Sequence, residues 1–451
     1  MHNPLQGYLS VRDWKTRLVF WSGALTVGMV AASFALATNW MLALHGRILE
    51  ASPWWSLLLA PSMLMAVVFL TRRLFPGSQG SGIPQTIAAL RTDDDGLRKK
   101  VLSPRIAVGK VLMTLLGFLS GASVGREGPT IQIGASIMYS LGRFTKFPRH
   151  YVRHGLIMAG GAAGIAAAFN TPIAGIIFAI EEMARFYEER AIGTILVAVI
   201  IAGITALGFL GNYSYFGESS AHFDQLKDWI AVPVCGVACG LLGGGFSRLL
   251  IEGVRYLRPF AGRHPLLLAG ICGLIIAGIG LLSGGDSYGS GYIQARHVLM
   301  GNAGTDLAFP FYKIVATLTS YFSGIPGGVF APSLSAGAGL GADLAPLMPY
   351  VSVNTVVLLG MVAYFTGVVQ TPLTASVIVM EMVDDRSMVF PIMASAFIAL
   401  AASKLICRKP IYWALAEEFL GGEAAQEPES SKGKPQKSKA AESSMKRAGS
   451  K

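Results

Sequence analysis

Short apolar segments interrupted by Gly and Pro make up most of this chain of 451 residues. Two early stretches, about 18–44 and 54–71, have the simple form of a membrane-spanning helix, which needs about 20 apolar residues. The stretches that follow are shorter and uneven. Charged residues amount to 14% and hydrophobic ones to 52%, whereas soluble proteins carry about 25% charged residues. The pattern predicts an all-α polytopic membrane protein with many tilted and broken helices.

The basic residues that give a formal net charge of +11 lie mainly at the chain ends and in loops. They form no stripe with interleaved aromatic residues, so we expect no nucleic-acid partner. Because Lys and Arg mark cytoplasmic loops, we expect both termini in the cytoplasm. Residues 1–17 are predicted to be an amphipathic helix at the cytoplasmic surface, 18–420 the membrane domain, and 421–451 a disordered basic tail. This tail is either simply solvated or attracted to anionic membrane lipid.

Three sequence patterns occur twice, in the same order, at separations of 200 to 209 residues. They are Gly80–Gln85 with Gly289–Gln294, Gly125–Pro129 with Gly328–Pro332, and Thr171-Pro172 with Thr371-Pro372. A constant spacing of this kind predicts two structural repeats, at about 18–211 and 228–420. Helix breaks at corresponding positions of two repeats point to a binding site near the middle of the membrane.

Each of the breaks at 80–84, 125–129 and 328–332 opens a helix. A helix N-terminus carries about half a positive charge, so several of them around one cavity would bind an anion and still release it. In the first break, Ser81 offers a hydroxyl, and the backbone at Gly82 and Ile83 offers N–H groups. A lone glycine-rich turn could equally serve helix packing. Tyr412 follows the last long apolar run and is either an anion donor or an interfacial aromatic residue.

Three carboxylates in or beside apolar segments are candidates for proton transfer. Glu127 lies between two apolar stretches, where a charge costs at least about 2.5–3.5 kcal/mol. It could occupy an anion site when ionised and leave it when protonated, or it could be a structural partner of Arg126. Glu181 and Glu182 end the apolar run 173–180 and could relay protons to the cytoplasm, or they could be a solvated helix end.

Sequence patterns of hydrolases, metalloenzymes and nucleotide-driven pumps are missing: there is no His-Glu-x-x-His, Gly-x-Ser-x-Gly or P-loop. We therefore expect no enzymatic activity, no metal and no cofactor. Cys235 and Cys239 share a helix face and could bind a metal, but small buried apolar residues have the same pattern. His150 and His154 lie among arginines in a basic loop. The acidic run 93–95 is interpreted as a solvated loop, with calcium binding as the alternative.

The motifs together resemble those of the CLC family of chloride channels and proton-coupled chloride antiporters. The resemblance covers about 10–420 and rests on five segments. They are GSGIP at 80–84, GREGP at 125–129, GVFAP at 328–332, AAAFNTPIAGIIFAIEEM at 166–183 and KPIY at 409–412. The short stretch after 420 leaves no room for C-terminal nucleotide-binding (CBS) domains, so the chain resembles the prokaryotic type.

The resemblance implies a homodimer with one pathway in each subunit, built from two inverted repeats. It implies that the anion ligands are Ser81, Tyr412 and the backbone amides of Val329 and Phe330. It further implies that Glu127 is the external gating glutamate and Glu182 the internal proton-transfer glutamate, with Glu181 beside it on the path. Serine at position 81 and the GREGP motif favour chloride over nitrate and fluoride. The expected function is voltage-influenced Cl⁻/H⁺ antiport in the cell (inner) membrane, with a passive chloride channel as the alternative.

Overall fold

Helices account for the regular structure throughout the part of the chain that can be described. The computed structural model describes residues 11–144, 154–183, 189–211, 215–217, 221–223, 225–301, 306–383 and 387–426. The helices are α1 (Val11–Ala51), α2 (Ser56–Leu74), α3 (Ile83–Arg91), α4 (Asp95–Val101), α5 (Pro104–Leu119), α6 (Glu127–Leu141), α7 (Leu156–Phe169), α8 (Pro172–Phe178), α9 (Glu189–Leu210), α10 (Ala231–Arg263), α11 (Pro265–Leu282), α12 (Tyr292–Leu299), α13 (Phe309–Phe322), α14 (Phe330–Leu344), α15 (Val353–Val369), α16 (Pro372–Val383), α17 (Val389–Ile406) and α18 (Ile411–Gln426). The all-α prediction is confirmed.

Helix lengths vary widely, as the broken apolar pattern predicts. Among the described residues, seven helices or helix pairs are long and apolar enough to cross a membrane. Others are far too short, such as α8 with 7 residues and α12 with 8. The helix α1 is longer than the span expected at 18–44 and runs from Val11 to Ala51 without a break. The expected surface helix at 1–17 is described only from residue 11, where the chain already belongs to α1.

At its other end, the tail expected at 421–451 begins as a continuation of α18, which reaches Gln426, and the remainder lies outside the described residues. The acidic run at 93–95 is not simply a loop, because Asp95 is already in α4. The Asp94 carboxylate caps this helix by accepting hydrogen bonds from Gly96 and Leu97. Asp is one of the residues favoured at this capping position. The buried Arg98 then pairs with Asp95 at 2.7 Å.

Corresponding positions of the two repeats share unusual backbone conformations. Gly82 before α3 and Gly291 before α12 have φ angles of +105° and +73°. Asn170 (φ 58°) and Gln370 (φ 60°) end α7 and α15, and they are the non-glycine residues with positive φ among those described. Each is followed by Thr-Pro and a new helix, α8 or α16. Because left-handed backbone is uncommon outside glycine, its recurrence at one spacing supports the repeat.

The core lies where the central helices of each repeat cross. Every residue of α7 from Leu156 to Phe169 is buried, and so is every residue of α15 from Thr355 to Val369. Helix α7 packs on α6 with Gly160 directly against Gly134, where a Cβ atom on either residue would collide with the other's carbonyl oxygen. Small residues allow this close approach of helices in membranes. The first turns of α6 and α14, which begin at Glu127 and Phe330, are likewise buried in the protein interior.

Candidate functional site

Backbone pairing joins the three helix breaks that the sequence singles out. The Gly125 and Gly328 backbones exchange two hydrogen bonds, of 2.7 and 2.8 Å. The Gly80 amide donates to the Ile325 carbonyl oxygen at 3.2 Å, and its carbonyl oxygen accepts from the Gly327 amide at 3.1 Å. The segments before α3, α6 and α14 therefore meet, and the first turns of these helices begin around one region of the interior.

Ser81 lies at this junction with its hydroxyl fully buried. The Gly82 amide after it donates to the Gln85 side chain at 2.9 Å, which fixes the start of α3. A Cβ atom on Gly128 would collide with Ser81 Oγ, so the hydroxyl faces the first turn of α6. In the structure Ser81 Oγ has no hydrogen-bond partner. Since buried hydroxyls are normally satisfied, this group is available to a ligand.

Glu127 is the first residue of α6, and its side chain is completely buried. A Cβ atom on Gly125 would collide with Glu127 Oε2 and would lie 3.3 Å from the Ala331 amide nitrogen. The carboxylate therefore folds back over the break and faces the first turn of α14. Helix N-termini stabilise negative charge, so the carboxylate occupies a position that also suits a bound anion.

Arg126, the neighbour of Glu127, anchors this break to α1. Its guanidinium Nη1 donates to the Ala35 carbonyl oxygen at 3.1 Å, and the group lies 5.5 Å from the ring centre of Tyr215. The same segment of α1 lines a cavity of about 700 Å³, named the outer cavity, that reaches Arg126 and Glu127. The Glu127 side chain is buried, and it lies at the wall of this cavity.

An aromatic cluster forms the opposite wall of the site. Tyr412, at the start of α18, is fully buried and stacks on Phe330 with 5.8 Å between ring centres and a 12° tilt. The Tyr412 hydroxyl, like that of Ser81, has no hydrogen-bond partner in the structure. Phe330 opens α14, preceded by its N-cap residue Val329, and also contacts Phe365. The predicted anion ligands Ser81, Phe330 and Tyr412 therefore all lie in the buried interior beside helix starts.

Two buried lysines behind the helix breaks were not predicted as functional residues. The Lys110 ammonium on α5 donates to the carbonyl oxygens of 78–80 at 2.7 to 3.5 Å. Lys313 on α13 does the same for 287–289 at 2.7 to 3.3 Å. Both side chains are fully buried, and each supports the loop that opens α3 or α12. The sequence contains one signal for these two residues: each is a lysine within an apolar segment, and the two are separated by the spacing of the other repeated motifs.

The second pair of candidate carboxylates lies in one turn of π-helix, Ala179–Met183, which continues α8. The Glu182 side chain is 1% exposed, whereas Glu181 is only half-buried. The Trp413 indole donates to the Glu182 backbone carbonyl at 3.1 Å. Because Trp413 follows Tyr412, this bond connects the Glu182 turn to the aromatic wall of the candidate site. Such π-helical turns are frequent at functional sites.

A second cavity of about 880 Å³, named the inner cavity, lies next to the first helix break. It is lined by Gly80, Gln85 and Tyr321 next to the break and by four basic side chains, Arg72, Lys100, Arg258 and Arg263. Glu418 also lines the cavity and pairs with Arg258 at 3.5 Å, so basic side chains outnumber this single carboxylate and the surface favours small anions. Ser81 and Tyr412 are both fully buried, so the protein closes between this cavity and the outer one.

No group of three or more His, Cys, Asp or Glu side chains capable of holding a metal ion occurs within the described ranges. Cys235 and Cys239 are both buried on α10, and Cys235 Sγ is 3.9 Å from the Val356 carbonyl oxygen. Of the two histidines in the basic loop, His150 lies outside the described residues.

Comparison with known proteins places these features in one family. A family model described as voltage gated chloride channel matches residues 63–404. An H⁺/Cl⁻ exchange transporter, ClcA of Salmonella gallinarum, is 30% identical over 433 residues, which are 92% of this chain and 90% of that protein. The corresponding protein of Salmonella arizonae is 30% identical over 425 residues, covering 90% and 88% of the two chains.

Solved structures with the same architecture also match. The crystal structure of a slow cyanobacterial Cl⁻/H⁺ antiporter is similar with a TM-score of 0.79 and 26% identity, covering 90% of this chain and 98% of the other. A CLC-type fluoride/proton antiporter matches in fold with a TM-score of 0.75 and 23% identity, covering 88% and 96% of the chains. With a family model that spans most of its length, this chain belongs to the CLC family, the voltage gated chloride channel family.

Proposed function

We propose that the protein is a voltage-influenced chloride/proton antiporter, in which Glu127 is the external gate and Glu182 the internal proton acceptor. The observation that carries this proposal is the position of the Glu127 carboxylate, buried over the joined helix breaks and facing the first turn of α14. A chloride ion and an ionised carboxylate have the same requirement for positive partial charge, so they compete for this place. Competition of this kind couples the two ions.

The exchange follows from the charge of the carboxylate. A proton from the outer cavity neutralises Glu127, which then loses its attraction to the helix N-termini and leaves the site. Chloride takes its place, held by the Ser81 and Tyr412 hydroxyls and by the amides of Val329 and Phe330. When Glu127 releases its proton toward Glu182, the renewed carboxylate displaces chloride toward the outer side, in the direction opposite to that of the proton.

Antiport is favoured over a passive channel by the second carboxylate. Glu182 is 1% exposed and is joined through Trp413 to the wall of the anion site. A buried carboxylate is energetically costly in a membrane, and carboxylates that are retained there usually have a function. The relatives at 30% identity are named as H⁺/Cl⁻ exchange transporters, which supports the same assignment.

Chloride rather than fluoride is the proposed anion, because Ser81 and the GREGP motif at 125–129 resemble the chloride-transporting members of the family and the relatives at 30% identity are named H⁺/Cl⁻ exchange transporters. To test this, we would record anion release from liposomes with a chloride or fluoride electrode while a second electrode follows pH. We expect chloride release accompanied by proton movement into the liposomes. Fluoride release that is faster than chloride release, under equal gradients, would contradict the assignment.

We propose that the protein lies in the cell (inner) membrane, with both termini and the inner cavity on the cytoplasmic side. Arg72, Arg258 and Arg263 are located at helix ends around this cavity, and clusters of basic residues mark the cytoplasmic side. Arg263→Cys should react with a membrane-impermeant thiol reagent only after cells are opened. Labelling in intact cells would reverse the orientation.

We also propose a homodimer surrounded by lipid, with an independent pathway in each subunit. Large apolar side chains such as Ile204 on α9 (65% exposed) and Leu405 on α17 (82% exposed) need an apolar covering. Tagged heterodimers of one normal and one Glu127→Ala subunit should retain about half of the proton flux, as expected for non-interacting sites. Complete loss of proton flux would mean that the two subunits share one pathway.

A further inference from the structure

Two glutamates, one from each repeat, cap each other's helices. The Glu181 carboxylate accepts hydrogen bonds from the backbone amides of Leu373 and Thr374, at 3.2 and 2.6 Å, in the first turn of α16. The Glu381 carboxylate, near the end of α16, accepts from Ile173 and Ala174 at 3.1 and 2.7 Å, in the first turn of α8. Helices α8 and α16 are therefore tied together at both ends.

The sequence explains why these amides are available. Both helices start with Thr-Pro, and proline occupies the first helical position at 172 and at 372. The amides at the next two positions have no partner within their own helix. A carboxylate satisfies two such donors at once, and its charge complements the positive end of the helix. The other repeat supplies that carboxylate in each case.

The turn that carries Glu181 also carries Glu182, and the two side chains face different surroundings. Glu181 points to α16, whereas Glu182 is buried, with its backbone carbonyl bound to Trp413 of α18. The Glu182 backbone is thus fixed from two sides. Both oxygens of Glu181 accept N–H groups of α16, so both are occupied in capping the start of that helix.

We propose that Glu181 and Glu381 form a reciprocal clamp that positions Glu182 for proton transfer, and that Glu181 is a positioning residue rather than a proton carrier. The proposal rests on the assignment of Glu182 as the internal proton acceptor. It replaces the expectation that Glu181 lies on the proton path. It also gives a function to Glu381, which the sequence motifs left without one.

The pseudosymmetry of the clamp provides a matched pair of variants, Glu181→Gln and Glu381→Gln. Each substitution places an amide nitrogen against an N–H donor, but only Glu181 is next to Glu182. We expect both variants to lower proton transport per chloride by about threefold or more, because hydrogen bonds to charged groups are the strong ones. Glu252→Gln is the control, since Glu252 is a carboxylate in an exposed pair with Arg248.

The proton-to-chloride ratio and its dependence on internal pH would be measured in liposomes for wild type, both clamp variants and the control. Similar losses in the two clamp variants, with a pH profile of unchanged shape, support the clamp. A loss with Glu181→Gln alone, or no loss with either variant, overturns it. If Glu381→Gln does not fold, Glu381→Asp, which keeps the charge but shortens the reach, takes its place and should also lower the ratio.

A second measurement does not depend on transport. Glu182→Cys would be labelled with a thiol reagent from the inner side, with and without Glu381→Gln; the four natural cysteines are buried. We expect labelling to accelerate by about tenfold when the clamp is broken, because local opening exposes a buried group. An unchanged labelling rate overturns the clamp, whether or not the wild type transports protons. Absence of proton transport in the wild type would refute a different claim, the proposed antiport.

Discussion

The indole Nε1–H of Trp413 donates a hydrogen bond to the backbone carbonyl of Glu182 at 3.1 Å, across 231 residues of sequence. Trp413 is adjacent to Tyr412, whose ring stacks on Phe330 in the proposed anion site. One short segment at the start of α18 therefore contacts both the proposed anion site and the turn that carries the proposed proton acceptor.

Replacing Trp413 by Phe removes this hydrogen bond and keeps most of the ring. A neutral hydrogen bond contributes about 0.5–1.5 kcal/mol, so we expect a two- to tenfold loss of proton transport and a smaller change in chloride turnover. Parallel pH and chloride electrode traces from liposomes would measure both rates. Equal losses of the two rates would indicate that Trp413 supports the fold as a whole.

Replacing Glu182 by Gln removes the proposed internal proton acceptor while preserving its shape. We expect chloride flux to continue within about twofold of wild type, since the substitution leaves the anion ligands in place, and proton flux to fall below detection. Electrode recordings under a chloride gradient provide the readout. Coupling that remains at the wild-type ratio would make Glu182 an ordinary buried helix residue.

Replacing Tyr412 by Phe tests the hydroxyl separately from the ring. The stacking on Phe330 is retained, and one donor to the anion is lost, so chloride affinity should fall by about tenfold, the equivalent of 1.4 kcal/mol. Tyr412→Ala also removes the wall of the site and should loosen coupling in addition. Isothermal titration of chloride into the purified protein distinguishes the two variants, and an unchanged affinity in both would exclude Tyr412 as a ligand.

Replacing Lys110 by Met removes a buried positive charge that supports the loop carrying Ser81. The hydrogen bonds that hold the carbonyl oxygens of 78–80 are lost, and we expect about a tenfold weaker chloride affinity together with a lower melting temperature. Lys313→Met is the matched variant in the second repeat, where it supports residues 287–289 instead. If both variants bind chloride as wild type does, the two lysines are purely structural.

Local sequence patterns predicted a large part of the architecture, including the helix starts around which the candidate site lies. The breaks at 80–84, 125–129 and 328–332 combine Gly and Pro with apolar flanks. Each pattern therefore predicts a helix start from local sequence alone, whatever the helix contacts in the fold. Glu127 stood out because a charge in an apolar segment is expensive. These signals are contained within a few neighbouring residues.

The contacts that assemble the site could not be predicted in this way, because they join distant parts of the chain. Glu181 finds its partners 192 and 193 residues away, and Lys110 binds carbonyl groups about 30 residues before it. A backbone carbonyl carries no sequence signature, so the lysine sites were not anticipated. The repeat spacing does place Lys110 and Lys313, and likewise Glu181 and Glu381, at corresponding positions of the two repeats. It does not show what each side chain contacts.

The most direct test of coupling is uphill proton transport by the purified protein in liposomes. An outward chloride gradient is imposed with the membrane potential clamped near zero by potassium and valinomycin, and external pH is recorded without a pH gradient at the start. We expect protons to enter the liposomes against their growing gradient, and we expect Glu127→Ala to abolish this movement while chloride continues to leave. Chloride release without proton uptake in wild type would contradict it and identify a passive channel.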